Sequence, residues 1–160
     1  MQDMQTAIRR AMVSGTVVGL AIAAATALAG KRETGSAAAP LNATSHIVWG
    51  GKAALQDAPS LKYTLTGFVL NHASAIFWAA VYEKFFGSAR PSPHASPLRP
   101  LIGGAVVSAG AYVTDYHLVP RRLTPGFEKR LSCKSLGMVY ALLAIGLAAT
   151  DLIRSTRHPS

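Results

Sequence analysis

Four stretches of the chain carry almost only apolar and small residues, and each ends where charge returns. The first is uncharged from Ala11 to Gly30, and the second from Tyr63 to Tyr82, where Glu83-Lys84 closes it. The third begins at Leu101 and is uncharged to Thr114, where Asp115 interrupts it; the fourth covers Ser135 to Thr150 and stops at Asp151. Crossing about 30 Å of hydrocarbon takes about 20 apolar residues in a helix. The first two runs reach that length alone, and the other two reach it when Asp115 and Asp151 lie within or at the edge of the membrane. The pattern predicts an all-α membrane protein with four transmembrane helices, over 8–30, 61–86, 100–119 and 133–153. Together they form a single bundle of two helical hairpins. Arg9-Arg10 before the first run and Ala27-Leu28-Ala29 at its end also outline a secretory signal. The run exceeds the ~7–15-residue apolar core of such signals, so it is read as a retained helix.

The connections differ in character. Lys31 to Ser60 is long, and Asn42 is expected to cap a short helix in it that Gly50-Gly51 terminates. Trp49 suits the headgroup region, so this piece is expected to lie on the membrane surface. The second connection, 87–100, holds Pro91, Pro93, Pro97 and Pro100 and reads as an irregular tether. In the third, Thr124 as cap and Pro125 as first helical residue predict a short basic interfacial helix.

Each span also has a row of small or polar residues at three-to-four spacing, the signature of helices that touch closely in a bilayer. These are Gly15, Gly19, Ala23 and Ala27; Thr64, Gly67, Asn71, Ser74 and Trp78; Gly104, Ser108, Ala111 and Asp115; and Gly137, Ala141, Ala144, Ala148 and Asp151. Residues in such a row share a face. Asp115 and Asp151 should therefore point into the bundle, at opposite membrane surfaces, too far apart to act as a carboxylate pair.

Composition narrows the class. Of 160 residues 50% are hydrophobic and 14% charged, and the formal net charge is +9. An average soluble domain carries roughly 25% charged residues, and a disordered chain combines low hydrophobicity with high charge, so neither class fits. One cysteine, Cys133, excludes an internal disulfide framework. A basic surplus can mark nucleic-acid binding when it gathers on one face. Here all 16 basic residues fall outside the four apolar runs, which suits anionic headgroups instead and leaves no nucleic-acid partner. Arg121, Arg122, Lys129 and Arg130 are the expected headgroup contacts. Slightly more of the positive charge lies in the first and third connections, which leans them toward the cytoplasm.

Ionisable residues inside a membrane are the places to look for chemistry. His72 lies about ten residues into the second span, roughly 15 Å deep, with Asn71 before it. Asp115 is near the far end of the third span, His117 is about 200° further round that helix, and His46 lies in the first connection on the same side. Together they could line a polar pocket with His72 at its base and Asp115, His117 and His46 at its mouth. Imidazoles there could hold a divalent metal or haem, with His72, His117 and His46 as the ligands. The spacing matches no metal signature, and the bland readings are hydrogen bonds between helices for Asn71 and His72, and an ion pair of Asp115 with Arg121, Arg122 or Lys52. No phosphate loop, dinucleotide-binding glycine pattern or nucleophile elbow occurs. Cys133 is expected to be a passive thiol, and Asn42-Ala-Thr44 is a formal glycosylation sequon with meaning only in a eukaryotic secretory route.

Three segments carry a resemblance: Asn42-Ala-Thr-Ser-His46 with Trp49-Gly50, Asn71-His72 with Phe77-Trp78, and Asp115-Tyr-His117 followed by Pro120 and Arg122-Leu-Thr-Pro-Gly-Phe-Glu128. In these the chain resembles uncharacterised small multi-pass inner-membrane proteins of Gram-negative bacteria. The resemblance implies a bacterial inner-membrane location and assigns no catalytic residue and no cofactor. The reading that follows is a non-enzymatic structural or accessory membrane protein, partnered by the bilayer, anionic lipids and a homodimeric or larger complex. Alternatives are an intramembrane histidine site for a metal, haem or quinone, and a small proton-coupled transporter acting as a dimer with Asp115 as its titrating group.

Overall fold

The computed structural model describes residues 4–87 and 96–156. All its regular structure is helical: α1 (Met4–Thr34), α2 (Ala39–Thr44), α3 (His46–Trp49), α4 (Thr66–Phe85), α5 (Leu98–Val113) and α6 (Cys133–Thr156). A π-helical turn, Leu61–Leu65, leads into α4, and a second, Thr114–Leu118, extends α5. Three helical segments are long and apolar enough to cross a membrane: Met4–Thr34, Leu61–Phe85 and Cys133–Ser155. Most of the proline-rich tether, at 88–95, lies outside the described residues.

The helices pack along rows of four-residue spacing. Buried positions along these rows include Ala11, Gly15, Gly19 and Ala23 on α1; Gly67, Asn71, Ala75, Ala79 and Glu83 on α4; Gly103, Val107 and Ala111 on α5; and Val139, Leu143, Leu147 and Asp151 on α6, with further buried residues three positions away, such as Val18, Ile22, Tyr82, Gly104 and Ala148. α1 runs antiparallel to α4, with Gly15 against the Ile76 backbone and Gly19 against His72 and Ala75. α5 runs antiparallel to α6: a methyl on Gly104 would overlap the Ala144 carbonyl, and Ser108 Oγ donates to the Tyr140 carbonyl at 2.6 Å. α1 also meets α6, where Val18 fills the space over Gly146. The expected row holds on α5 and, as far as Ala23, on α1, where Thr26 and not Ala27 continues the buried face; it shifts on the other two. Ser74 on α4 and Gly137 and Ala141 on α6 are exposed, because the four-residue row rotates them away from the contact.

α4 and α5 touch at the tether end, where Phe86 lies over Gly103 and Tyr82 Oη is 3.4 Å from the Pro100 carbonyl. At the other end the two connections fill the gap between them. Asn42 is not a cap: it lies inside α2, which starts on Ala39-Pro40. Its buried amide donates to the Gln56 and Ala58 carbonyls, and its oxygen accepts from Thr64 Oγ1 at 2.6 Å. Asn42 thus ties α2 to the chain entering α4, where Gly67 packs on the Leu41 carbonyl. Gly50, at φ 76°, ends α3 as expected. Ser60 starts the entry to α4 by a reciprocal pair of bonds, with Ser60 Oγ accepting from the Tyr63 N–H and Thr64 Oγ1 accepting from the Ser60 N–H. Connection three contains no interfacial helix, only single turns at Arg121–Leu123 and Phe127–Lys129. Thr124 turns its hydroxyl inward to Glu128 Oε1 at 2.9 Å, which removes it as a cap, and Gly126 at φ 82° makes the bend instead.

Candidate functional site

Where α4 diverges from α5 the bundle holds a half-enclosed cleft of about 180 Å³. Its walls are Asn71, Ser74 and Trp78 of α4, Asp115 beyond α5 and Tyr140 of α6, and its roof includes Phe127 of connection three. Ser74 is exposed and sits on the rim. The lining is mostly apolar, with a few polar groups converging on it, the usual form of a small-molecule site.

The polar end of the cleft is built by the π turn after α5. Asp115 faces the bundle, as its row requires, and its Oδ2 accepts from Tyr140 Oη at 2.7 Å. Its partner is therefore a phenol on α6 and not Arg121, Arg122 or Lys52, whose side chains belong to the exposed connections. Tyr112 packs edge-on to Tyr140, with ring centroids 5.3 Å apart at 89°, and is 5.2 Å from Tyr116. Tyr116 Oη and Glu128 Oε2 are both buried, and the Tyr116 hydroxyl interacts with Glu128 and with Tyr140. Glu128 is near enough to act electrostatically on both Asp115 and Tyr116.

The histidines do not join this group. His72 points from α4 toward α1: its Nε2 pairs with Thr16 Oγ1 at 3.2 Å, its Nδ1 faces Gly19, and its ring stacks on Phe68. Asn71 spans the same interface, donating to the Gly19 carbonyl at 3.4 Å while lining the cleft. His46 is buried beneath Gly126, at 4% exposure, and its Nδ1–H donates to the Ala43 carbonyl at 2.7 Å. His117 is exposed, with its ring against Tyr112. Among the described residues no group of three or more His, Cys, Asp or Glu could hold a metal ion.

Of the expected headgroup contacts, Arg121, Arg122 and Lys129 are exposed. Arg130 is turned inward: it donates to the Ala54 carbonyl at 3.1 Å and pairs with Asp57, fastening connection three to connection one above the cleft.

A second polar cluster lies at the tether end of the bundle. Arg154 of α6 bonds Glu83 Oε1 of α4 at 2.7 Å and Asp151 Oδ1 at 2.9 Å, and Tyr82 Oη donates to Asp151 Oδ2 at 3.3 Å. Glu83 and Asp151 are each 1% exposed. The row logic places Asp151 inside, but Glu83 reads as a span terminator beside Lys84. The signal for its burial was present: Glu83 continues the row Asn71, Ala75, Ala79 at four-residue spacing, whereas Lys84 is one step off it and exposed.

Comparisons with protein-family models, with curated proteins and with solved structures give no match for the chain.

Proposed function

We propose that the chain is a non-enzymatic membrane protein of a bacterial inner membrane, with four spans in two hairpins, whose cleft takes up a small amphipathic molecule from the bilayer. α5 with its π turn, Leu98–Leu118, is continuous helix of roughly 30 Å, the reach of a fourth span. The observation that carries the binding reading is the cleft itself. It combines an apolar wall and an exposed rim at Ser74 with a carboxylate held in place by Tyr140 at its inner end. Arg121, Arg122 and Lys129 would hold anionic headgroups around its roof. The histidine-cofactor reading has less support, because His72 is engaged between α1 and α4 and His46 and His117 lie apart from it.

The test is native mass spectrometry of the protein released from native-lipid nanodiscs, beside a Ser74→Trp variant that fills the cleft from its rim. A small molecule retained by the unmodified chain and lost from the variant is expected. Equal retention by both, or none by either, would overturn the reading.

A further inference from the structure

The electrostatics of the cleft run against those of the chain. The protein carries 16 basic residues and a formal net charge of +9, yet no Lys, Arg or His lines the cleft, and Asp115 is the one formally charged residue in its lining. Tyr140 Oη occupies Asp115 Oδ2, and among the described residues nothing donates to Oδ1. The nearest cations on the roof are directed elsewhere. Arg130 is held by Ala54 and Asp57, and Arg121 and Arg122 are exposed outside the lining. The next acid, Glu128, sits close by, interacts with Tyr116 and adds to the negative potential at Asp115.

A carboxylate removed from water is costly unless it is paired. An anionic ligand would place a second negative charge beside it in a low-dielectric cleft. A ligand of carbonyl type, a quinone included, would find donors at Ser74 and Asn71 but would set an acceptor against Asp115. A cation supplies what is missing, and the walls suit one: Trp78, Phe127 and Tyr140 offer aromatic faces, which attract ammonium groups most where water is excluded.

Resting on the cleft reading above, we infer that the ligand is a lipophilic monocation, an amine or quaternary ammonium on an apolar body. It would enter from the bilayer past Ser74 and place its charge between Asp115 and the aromatic wall.

Matched probes decide it. The full chain with Trp49→Phe, leaving Trp78 as its sole tryptophan, is placed in phosphatidylcholine nanodiscs. It is titrated with octyltrimethylammonium, octanol and octanesulfonate while Trp78 fluorescence is followed, at concentrations corrected for partitioning. The ammonium is expected to bind at least about tenfold more tightly than the alcohol, and the sulfonate least. Asp115→Asn should equalise ammonium and alcohol, and Asp115→Glu should keep the preference. Native mass spectrometry of the unmodified chain with the same probes provides a readout free of the tryptophan change. Equal binding of ammonium and alcohol, still blocked by Ser74→Trp, would overturn the cation inference and leave the cleft reading standing. Preference surviving Asp115→Asn would also overturn it. Absence of binding by every probe, with Ser74→Trp without effect, would remove the cleft reading and this inference with it.

Discussion

Glu33, at the end of α1, accepts from the Ser132 N–H at 2.6 Å and so caps the start of α6, 99 residues later in the chain. Its other oxygen accepts from the Ser132 and Ser135 hydroxyls at 3.0 and 2.5 Å. A carboxylate at a helix N-terminus satisfies orphan N–H groups and meets the positive end of the helix dipole. Glu33→Ala is expected to lower stability by about 1 kcal/mol or less, since the group is exposed and screened. Thermal unfolding in detergent at low and high salt measures this, and the deficit should shrink with salt.

The cluster at the tether end should respond more strongly. Arg154→Met removes the guanidinium that bridges the buried Glu83 and Asp151, leaving Arg10 as a further positive charge near Glu83, a change that costs up to about 3–5 kcal/mol. Glu83→Gln combined with Arg154→Met removes one charge of each sign and should recover part of that loss. Denaturant titration of the single and double variants gives the comparison; an equal or larger loss in the double variant would mean Arg154 is not compensating Glu83.

Close helix contacts separate the glycines. Gly104→Ala meets the Ala144 carbonyl and Gly67→Ala the Leu41 carbonyl, with nothing flexible to yield, and overpacking of this kind costs about 1–3 kcal/mol. Gly137→Ala meets nothing within 4 Å and should be neutral or gain up to about 1 kcal/mol from helix propensity. Melting temperatures of the three variants should fall into these two groups.

His72→Ala should cost no more than about 2 kcal/mol, the range of hydrogen bonds between membrane helices, and should leave cleft binding unchanged, because the ring faces α1. Probe titration beside thermal unfolding separates the two effects. A loss of binding at unchanged stability would place His72 in the site.

Topology has its own test. On a Cys133→Ser background, Ser36→Cys and Lys129→Cys should react with an impermeant maleimide from one side of the membrane, and Ser155→Cys from the other. Labelling of Ser155→Cys and Lys129→Cys from the same side would show that the last helix does not cross.

Much of this was written in the hydropathy pattern. Each apolar run falls on one helix, although α1 begins seven residues before its run and α6 continues six residues beyond its own, because charged residues extend a helix past its uncharged stretch. The inward turn of Asp115 and Asp151 was also legible from the faces they share with small residues. The partners were harder to see. Tyr140 and Glu83 are marked only by the choice between a three- and a four-residue step, which rotates the buried face slowly and misassigns Ser74, Gly137 and Ala141. The connections were least legible. Asn42 and Thr124 are good caps in isolation, yet the Asn42 side chain bonds Thr64, Gln56 and Ala58 further along the chain, and the Thr124 hydroxyl lies between the Arg121 carbonyl and Glu128.

The Glu33 contact has a consequence for how the protein is made. Ser132 lies 99 residues after Glu33, so the carboxylate has none of these partners until the start of α6 has been made. The same stretch of chain supplies Ser132 and Ser135 at one end and Arg154 at the other. These contacts therefore form only once α6 is present, and a chain arrested before it would present Glu33 and Glu83 without them.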